Sequence, residues 1–195
     1  MKLFRQIDHK RMPWKNGGGE TVEIAVFPED AGLSDFDWRV SMATVASDGP
    51  FSVFAGIDRT LSILSGAEMQ LEIGGRELHV LTTQSEPLAF PADTPVAAKL
   101  ANGPITDLNV MTRRGRYSHG VRRIDVCGSL DLVPQSSVTI LLVAAETLSL
   151  VSDGQTIALM AMDAASLPAG YPISLSGKGM CYVISIDPVD RTTQA

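Results

Sequence analysis

The runs Leu61-Ser62-Ile63-Leu64-Ser65-Gly66 and Met69-Gln70-Leu71-Glu72-Ile73-Gly74-Gly75 decide the fold. Apolar and polar side chains alternate through both, as in strands with one face buried, and each run ends in glycine, where a chain turns. The rhythm spreads outward from there. In Trp38-Arg39-Val40-Ser41-Met42-Ala43-Thr44-Val45, the residues Trp38, Val40 and Met42 share one face and Arg39, Ser41 and Ala43 the other. Residues 138–143, 148–151, 157–162 and 180–186 read as further strands. Asp48-Gly49-Pro50, Asn102-Gly103-Pro104, Ser152-Asp153-Gly154 and Gly177-Lys178-Gly179 punctuate them. No segment carries a long apolar stripe of helical period. Many short strands with frequent turns predict an all-β sandwich or barrel.

A weak internal repeat predicts two halves. Phe90-Pro91-Ala92-Asp93-Thr94-Pro95-Val96 matches Leu167-Pro168-Ala169-Gly170-Tyr171-Pro172-Ile173, and the same offset lays Leu71 and Ile73 on Leu148 and Leu150. The expected division is residues 1–125 and 126–195. The stretch from Arg113 to Asp131, rich in arginine, reads as a solvated connector.

The 195 residues, 45% hydrophobic and 19% charged, suffice for a real core. A net charge of −6 argues against a general nucleic-acid binder. The N-terminus lacks the apolar segment of a signal peptide, and no apolar run reaches bilayer length, so a cytoplasmic location is expected, with no membrane partner. Cys127 and Cys181 read as buried thiols of a reducing compartment. The three histidines, His9, His79 and His119, are scattered and read as surface or strand-end residues.

Pro13-Trp14-Lys15-Asn16-Gly17-Gly18-Gly19 is a chemically equipped loop ahead of the alternating stretch 21–26. Three glycines permit positive φ and close approach. It reads either as a binding loop carrying Trp14, Lys15 and Asn16 or as a tight turn whose Trp is core. It is no phosphate loop, because neither GxxxxGK[ST] nor GxGxxG occurs.

Together with Trp38-Arg39-Val40-Ser41, Gly49-Pro50-Phe51-Ser52, Gly56-Ile57-Asp58-Arg59 and Asp107-Leu108-Asn109-Val110-Met111-Thr112-Arg113-Arg114, this loop resembles the HutD/Ves family of the cupin superfamily. The likeness covers residues 1 to about 125. It implies an all-β bicupin: two RmlC-like jelly-roll β-barrels in one chain, the second degenerate. It also implies a protein encoded with histidine-degradation genes, which binds a pathway acid such as formylglutamate and restrains flux rather than catalysing.

Most cupin enzymes hold a metal through histidines and a glutamate. The comparable positions here fall near Phe51, Val53, Val96 and Ile173, which offer no ligand, so no metal and no cofactor are expected. Catalysis without metal would call on Glu20, Glu23 or Asp58. No GxSxG marks a nucleophile. The polar residues fit anion recognition better. Arg39 and Ser41 alternate on one strand; Asn109, Met111 and Arg113 alternate on another. If both faces look into one barrel mouth, two guanidiniums converge there, and arginine forks match carboxylates. The alternative is that Arg39 and Arg113 form ion pairs with Asp58, Asp107 or Glu23.

The first reading is thus a metal-free carboxylate-binding protein, with Trp14, Lys15, Asn16, Arg39, Ser41, Asn109, Met111 and Arg113 as ligand contacts. A metal-independent lyase, isomerase or hydrolase is the rival, and a protein-interaction module the third. The expected partner is a small carboxylate; a homodimer is left open.

Overall fold

The computed structural model describes residues 1–14 and 17–190. Lys15, Asn16 and residues 191–195 lie outside the described residues. The chain divides into two compact units. One comprises Lys10–Ser118 with Val189 and Asp190; the other comprises His119–Pro188 and Met1–His9.

The first unit holds two antiparallel sheets, with strands numbered in chain order. The larger runs β2 (Lys10–Pro13), β3 (Gly19–Phe27), β4 (Trp38–Val45), β11 (Ile105–Arg113), β6 (Ile57–Ser65) and β9 (Leu88–Pro91). The smaller runs β5 (Gly49–Pro50), β10 (Val96–Leu100), β7 (Met69–Ile73) and β8 (Glu77–Leu81). Leu61, Ile63, Met69, Leu71, Val96, Ala98 and Ile105 from both sheets pack into one cluster. Burying each large member contributes about 1.5–3 kcal/mol. Gly66 lies in the turn that carries the chain from β6 in the larger sheet to β7 in the smaller, at φ +100°, and a Cβ there would lie 2.7 Å from the Ile105 side chain. Only glycine fits that turn.

The second unit is one sheet ordered β1 (Lys2–Phe4), β16 (Ala164–Leu167), β13 (Val138–Ala145), β17 (Ile173–Pro188), β14 (Leu148–Ser152) and β15 (Gln155–Leu159), with β12 (Tyr117–Leu132) paired to β17. Its cluster is built on Leu141, Val143, Leu148, Leu150, Ile173 and Leu175. No α-helix occurs among the described residues; Gln6–Asp8 is a single 3-10 turn. The chain is all-β, as its alternation predicts.

The two units share a local pattern, although in a different register from the sequence match. Met69, Leu71 and Ile73 are buried on β7, and Leu148, Leu150 and Ser152 on β14. Leu71 therefore corresponds to Leu150, not Leu148. The β7–β8 loop spans Gly74-Gly75-Arg76, whereas the β14–β15 turn is only Asp153-Gly154. The second turn is one residue shorter, and the strands align two residues, one period, away from the sequence match.

Several expectations change. The supposed connector is a tight turn at Arg113–Arg116 followed by β12, a continuous strand that contains residue 125. Its arginines are engaged: Arg114 pairs with Asp58 at 2.7 Å and Asp93 at 3.0 Å, and Arg116 with Asp37 at 2.8 Å. Cys181 is buried, which pushes its thiol up to about 11, but Cys127 is exposed on β12. His9 is buried, at the strand end just before β2. The strand expected over 157–162 stops at Leu159, because the buried Asp163 carboxylate turns the chain there. It accepts the Met160 N–H at 3.1 Å, the Gln6 N–H at 2.9 Å and an Arg5 guanidinium N–H at 2.7 Å. One side chain thus ties the N-terminal segment to the second unit. Asp163→Ala is expected to lower stability by about 3 kcal/mol, since hydrogen bonds to a charged group contribute about 1.5–3 kcal/mol each. Urea unfolding of the two proteins measures this.

Candidate functional site

Strands β4, β11 and β6 are neighbours, and their register builds the site. Met111 lies between Arg39 on β4 and Arg59 on β6. The next row along the sheet is Ser41, Asn109 and Leu61; the next but one is Ala43, Asp107 and Ile63. Side chains spaced by two share a face, so both guanidiniums, the hydroxyl, the amide and a carboxyl project the same way. They line a cavity of about 730 Å³ in the first unit. Trp14, Phe51 and Phe54 form its aromatic wall. Phe51 and Phe54 sit on the loop after β5, held by N–H bonds to Val96 O at 2.8 Å and Ala92 O at 2.9 Å.

The two arginines differ in their surroundings. Arg39 Nε donates to Glu23 Oε2 at 2.7 Å, with both side chains largely buried. Arg59 has no ion pair among the described residues. Its guanidinium carbon lies 5.3 Å from the Phe54 ring, 5.5 Å from Phe51 and 5.9 Å from Phe90. One amino group reaches Met111 Sδ at 3.9 Å, and Nε has no partner. Burial pulls its pKa down to about 10; the negative charge of Asp107 resists this and the positive charge of Arg39 adds to it. Arg59 stays protonated at neutral pH, a buried cation caged by rings.

Asp107 is 1% exposed. Its Oδ1 accepts the Asn109 amide at 2.6 Å, while Oδ2 is buried without a partner. Burial pushes its pKa up to about 7, against the Arg59 charge, the Asn109 amide and a backbone bond from Ala43.

Of the residues singled out from sequence, Trp14, Arg39, Ser41, Asn109 and Met111 line this cavity. Lys15 and Asn16 lie outside the described residues. Arg113 is not part of the lining. It ends β11, where its guanidinium turns to the Phe36 carbonyl at 2.8 Å and the Ser34 carbonyl at 3.2 Å, with Asp37 at 3.7 Å. The second guanidinium is Arg59 instead. Alternation could have found it, because Arg59 shares the phase of Leu61 and Ile63. It could have found Asp107 as well, one step before Asn109. Glu20, Glu23 and Asp58 are each ion-paired, to Arg11 at 2.6 Å, Arg39 at 2.7 Å and Arg114 at 2.7 Å. Among the described residues, no three His, Cys, Asp or Glu side chains gather as a metal-binding group.

The described residues of the glycine loop are tied to one another beside the cavity. Trp14 N–H donates to Gly19 O at 2.9 Å and Gly17 N–H to Trp14 O at 3.0 Å. The indole Nε1 donates to Thr21 Oγ1 at 2.8 Å, and Gly18 lines the cavity. Gly19 permits the closest approach: a Cβ there would collide with the Thr44 carbonyl and sit 3.1 Å from the indole.

Fold and site together define an all-β, cupin-like protein with a buried arginine row in one cavity. The chain belongs to the HutD family, whose model matches residues 6–183. HutD from Pseudomonas fluorescens SBW25, solved in a formate condition, superposes with a TM-score of 0.83 at 31% identity, over 97% of this chain and 99% of that one. An uncharacterised 21.2 kDa protein from the hutC 3′ region of Pseudomonas putida is 37% identical over 75% of each chain. Protein Ves of Citrobacter koseri is 42% identical over 60% of this chain, and the match spans 62% of that protein's length. A cupin 2 conserved barrel protein from Leptotrichia buccalis shares the fold, with a TM-score of 0.58 at 11% identity, over 95% of this chain and 100% of that one. No helix among the described residues is long and apolar enough to cross a membrane.

Gly19→Ala is expected to destabilise the protein, because the β3–β4 pairing must open to admit the methyl. Gly17→Ala meets no neighbour within 4 Å but carries the cost of φ +69°. Thermal unfolding should show the larger loss for Gly19→Ala.

Proposed function

We propose that this protein is a bicupin that binds a small carboxylate in the first-unit cavity and serves histidine utilisation by binding rather than by catalysis. The observation that carries the reading is Arg59, a buried cation on the cavity lining with no ion pair among the described residues and with a buried Nε that lacks a hydrogen-bond partner. A buried charge is costly unless paired, and an incoming carboxylate supplies the missing partner. Arg39, Ser41 and Asn109 stand beside it to complete the contacts. The aromatic wall suits the carbon skeleton of a small acid, as ligand cavities combine apolar walls with a few placed polar groups. The link to histidine utilisation rests on family membership and on relatives named HutD and hutC 3′ region. Binding is favoured over catalysis because the three carboxylates from the sequence reading are ion-paired.

Calorimetry with histidine-pathway acids, formylglutamate and glutamate among them, tests this. The native protein is expected to bind one of them. Arg59→Ala should weaken that binding tenfold to a hundredfold, which corresponds to the roughly 1.5–3 kcal/mol of one charge-assisted contact. Arg113→Ala should leave it unchanged. Equal binding by native protein and Arg59→Ala would contradict the reading.

A further inference from the structure

The carboxyl group on the cavity floor has no task in anion binding if it is ionised. A negative Asp107 would repel the carboxylate that Arg39 and Arg59 attract. Its geometry indicates the other protonation state. Oδ1 is already an acceptor, taking the Asn109 amide at 2.6 Å. Oδ2 is buried, without a partner, in a residue that lines the cavity. A proton on Oδ2 leaves Oδ1 free to accept and turns the orphaned oxygen into a hydrogen-bond donor. Such a donor complements an anion, and O–H···O⁻ bonds are short and strong.

Building on the carboxylate-binding reading, we propose that Asp107 acts as a carboxylic acid that donates its Oδ2 proton to the bound anion, so that the cavity takes up an anion and a proton together. Of the surrounding groups, Arg59, the Asn109 amide and the Ala43 backbone favour the ionised form, and burial outweighs them. β6 brings Arg59 and the apolar Ile63. β4 brings Ala43 and Ser41, and Arg39 with its charge answered by Glu23 from β3. β11 itself brings Asn109. Asp48, also on the cavity wall, spends Oδ1 on the Leu100 N–H at 2.8 Å. The titration midpoint of Asp107 therefore sits near neutrality, pushed up to about 7 chiefly by burial. An anion placed beside it raises the midpoint further, because it penalises the ionised form. By linkage, affinity for the anion is then greatest below the free-protein midpoint and falls as pH rises through it.

The test uses succinate as probe. Carbon-13 NMR of labelled aspartate carboxyls is followed against pH for the whole protein, with and without saturating succinate; the Asp107 signal is assigned by its loss in Asp107→Asn. Succinate affinity is measured by calorimetry at each pH. The expected midpoint is near 7 in the free protein and at least one unit higher with succinate. Native affinity should fall by up to about tenfold per pH unit above the free midpoint, while Asp107→Asn should show a flat profile. A free midpoint in the ordinary aspartate range near 4 would overturn the proposal. So would a midpoint that stays or falls when succinate binds; a fall would show an ionised Asp107 accepting a donor from the ligand. If succinate binds at no pH, the carboxylate reading itself fails and this proposal with it. If succinate binds and only the midpoint shift is missing, the proposal fails alone.

Discussion

Two buried guanidiniums in one cross-strand row, with a single methionine between them, are the constraint on which the site depends. Like charges so placed repel, and each has given up water. The chain resolves this unevenly. Arg39 has Glu23 at 2.7 Å. Arg59 has three phenylalanine faces and a sulfur. Rings and a thioether soften a cation's desolvation without cancelling its charge. A residual positive potential is therefore built into the cavity before any ligand arrives.

A flexible side chain would relax such frustration by swinging into solvent. The fold prevents it. β4, β11 and β6 are adjacent strands of one sheet, and their register sets Arg39, Met111 and Arg59 side by side. Phe90 from β9 and the anchored Phe51–Phe54 loop close over Arg59. The hydrophobic cluster of Leu61, Ile63, Leu71 and Val96 sits behind that wall. The site is thus preorganised in the sense that matters for affinity: its donors are fixed before the ligand is bound.

The sequence made the sheets legible because period-two alternation is a direct image of a half-buried strand. It placed Arg39 with Ser41 and Asn109 with Met111 on shared faces, and the register brings those two pairs side by side. It failed at Arg113 and Arg59. Alternation gives the face of a residue but not its height along the sheet. Arg113 has the right face at the wrong end, where the carbonyls of Ser34 and Phe36 claim it. Arg59 sits beside Asp58 at a strand start, where surface ion pairs are ordinary, and only β6–β11 pairing reveals that one of the two turns inward. Asp107 was weighed only as a counter-ion. Its special state comes from burial by strands distant in sequence. The internal repeat was visible but aligned two residues out at β7 and β14, because alternation repeats every two residues and a shift of one period leaves the pattern unchanged.

The central claim is that the cavity presents an uncompensated positive charge at Arg59. Anomalous diffraction from crystals soaked in sodium bromide tests it most directly, because bromide reports anion sites whatever the natural ligand. A strong bromide peak is expected inside the cavity, beside the Arg59 guanidinium. Bromide found only at exposed guanidiniums such as Arg114 and Arg116, with the cavity free of it, would contradict the account.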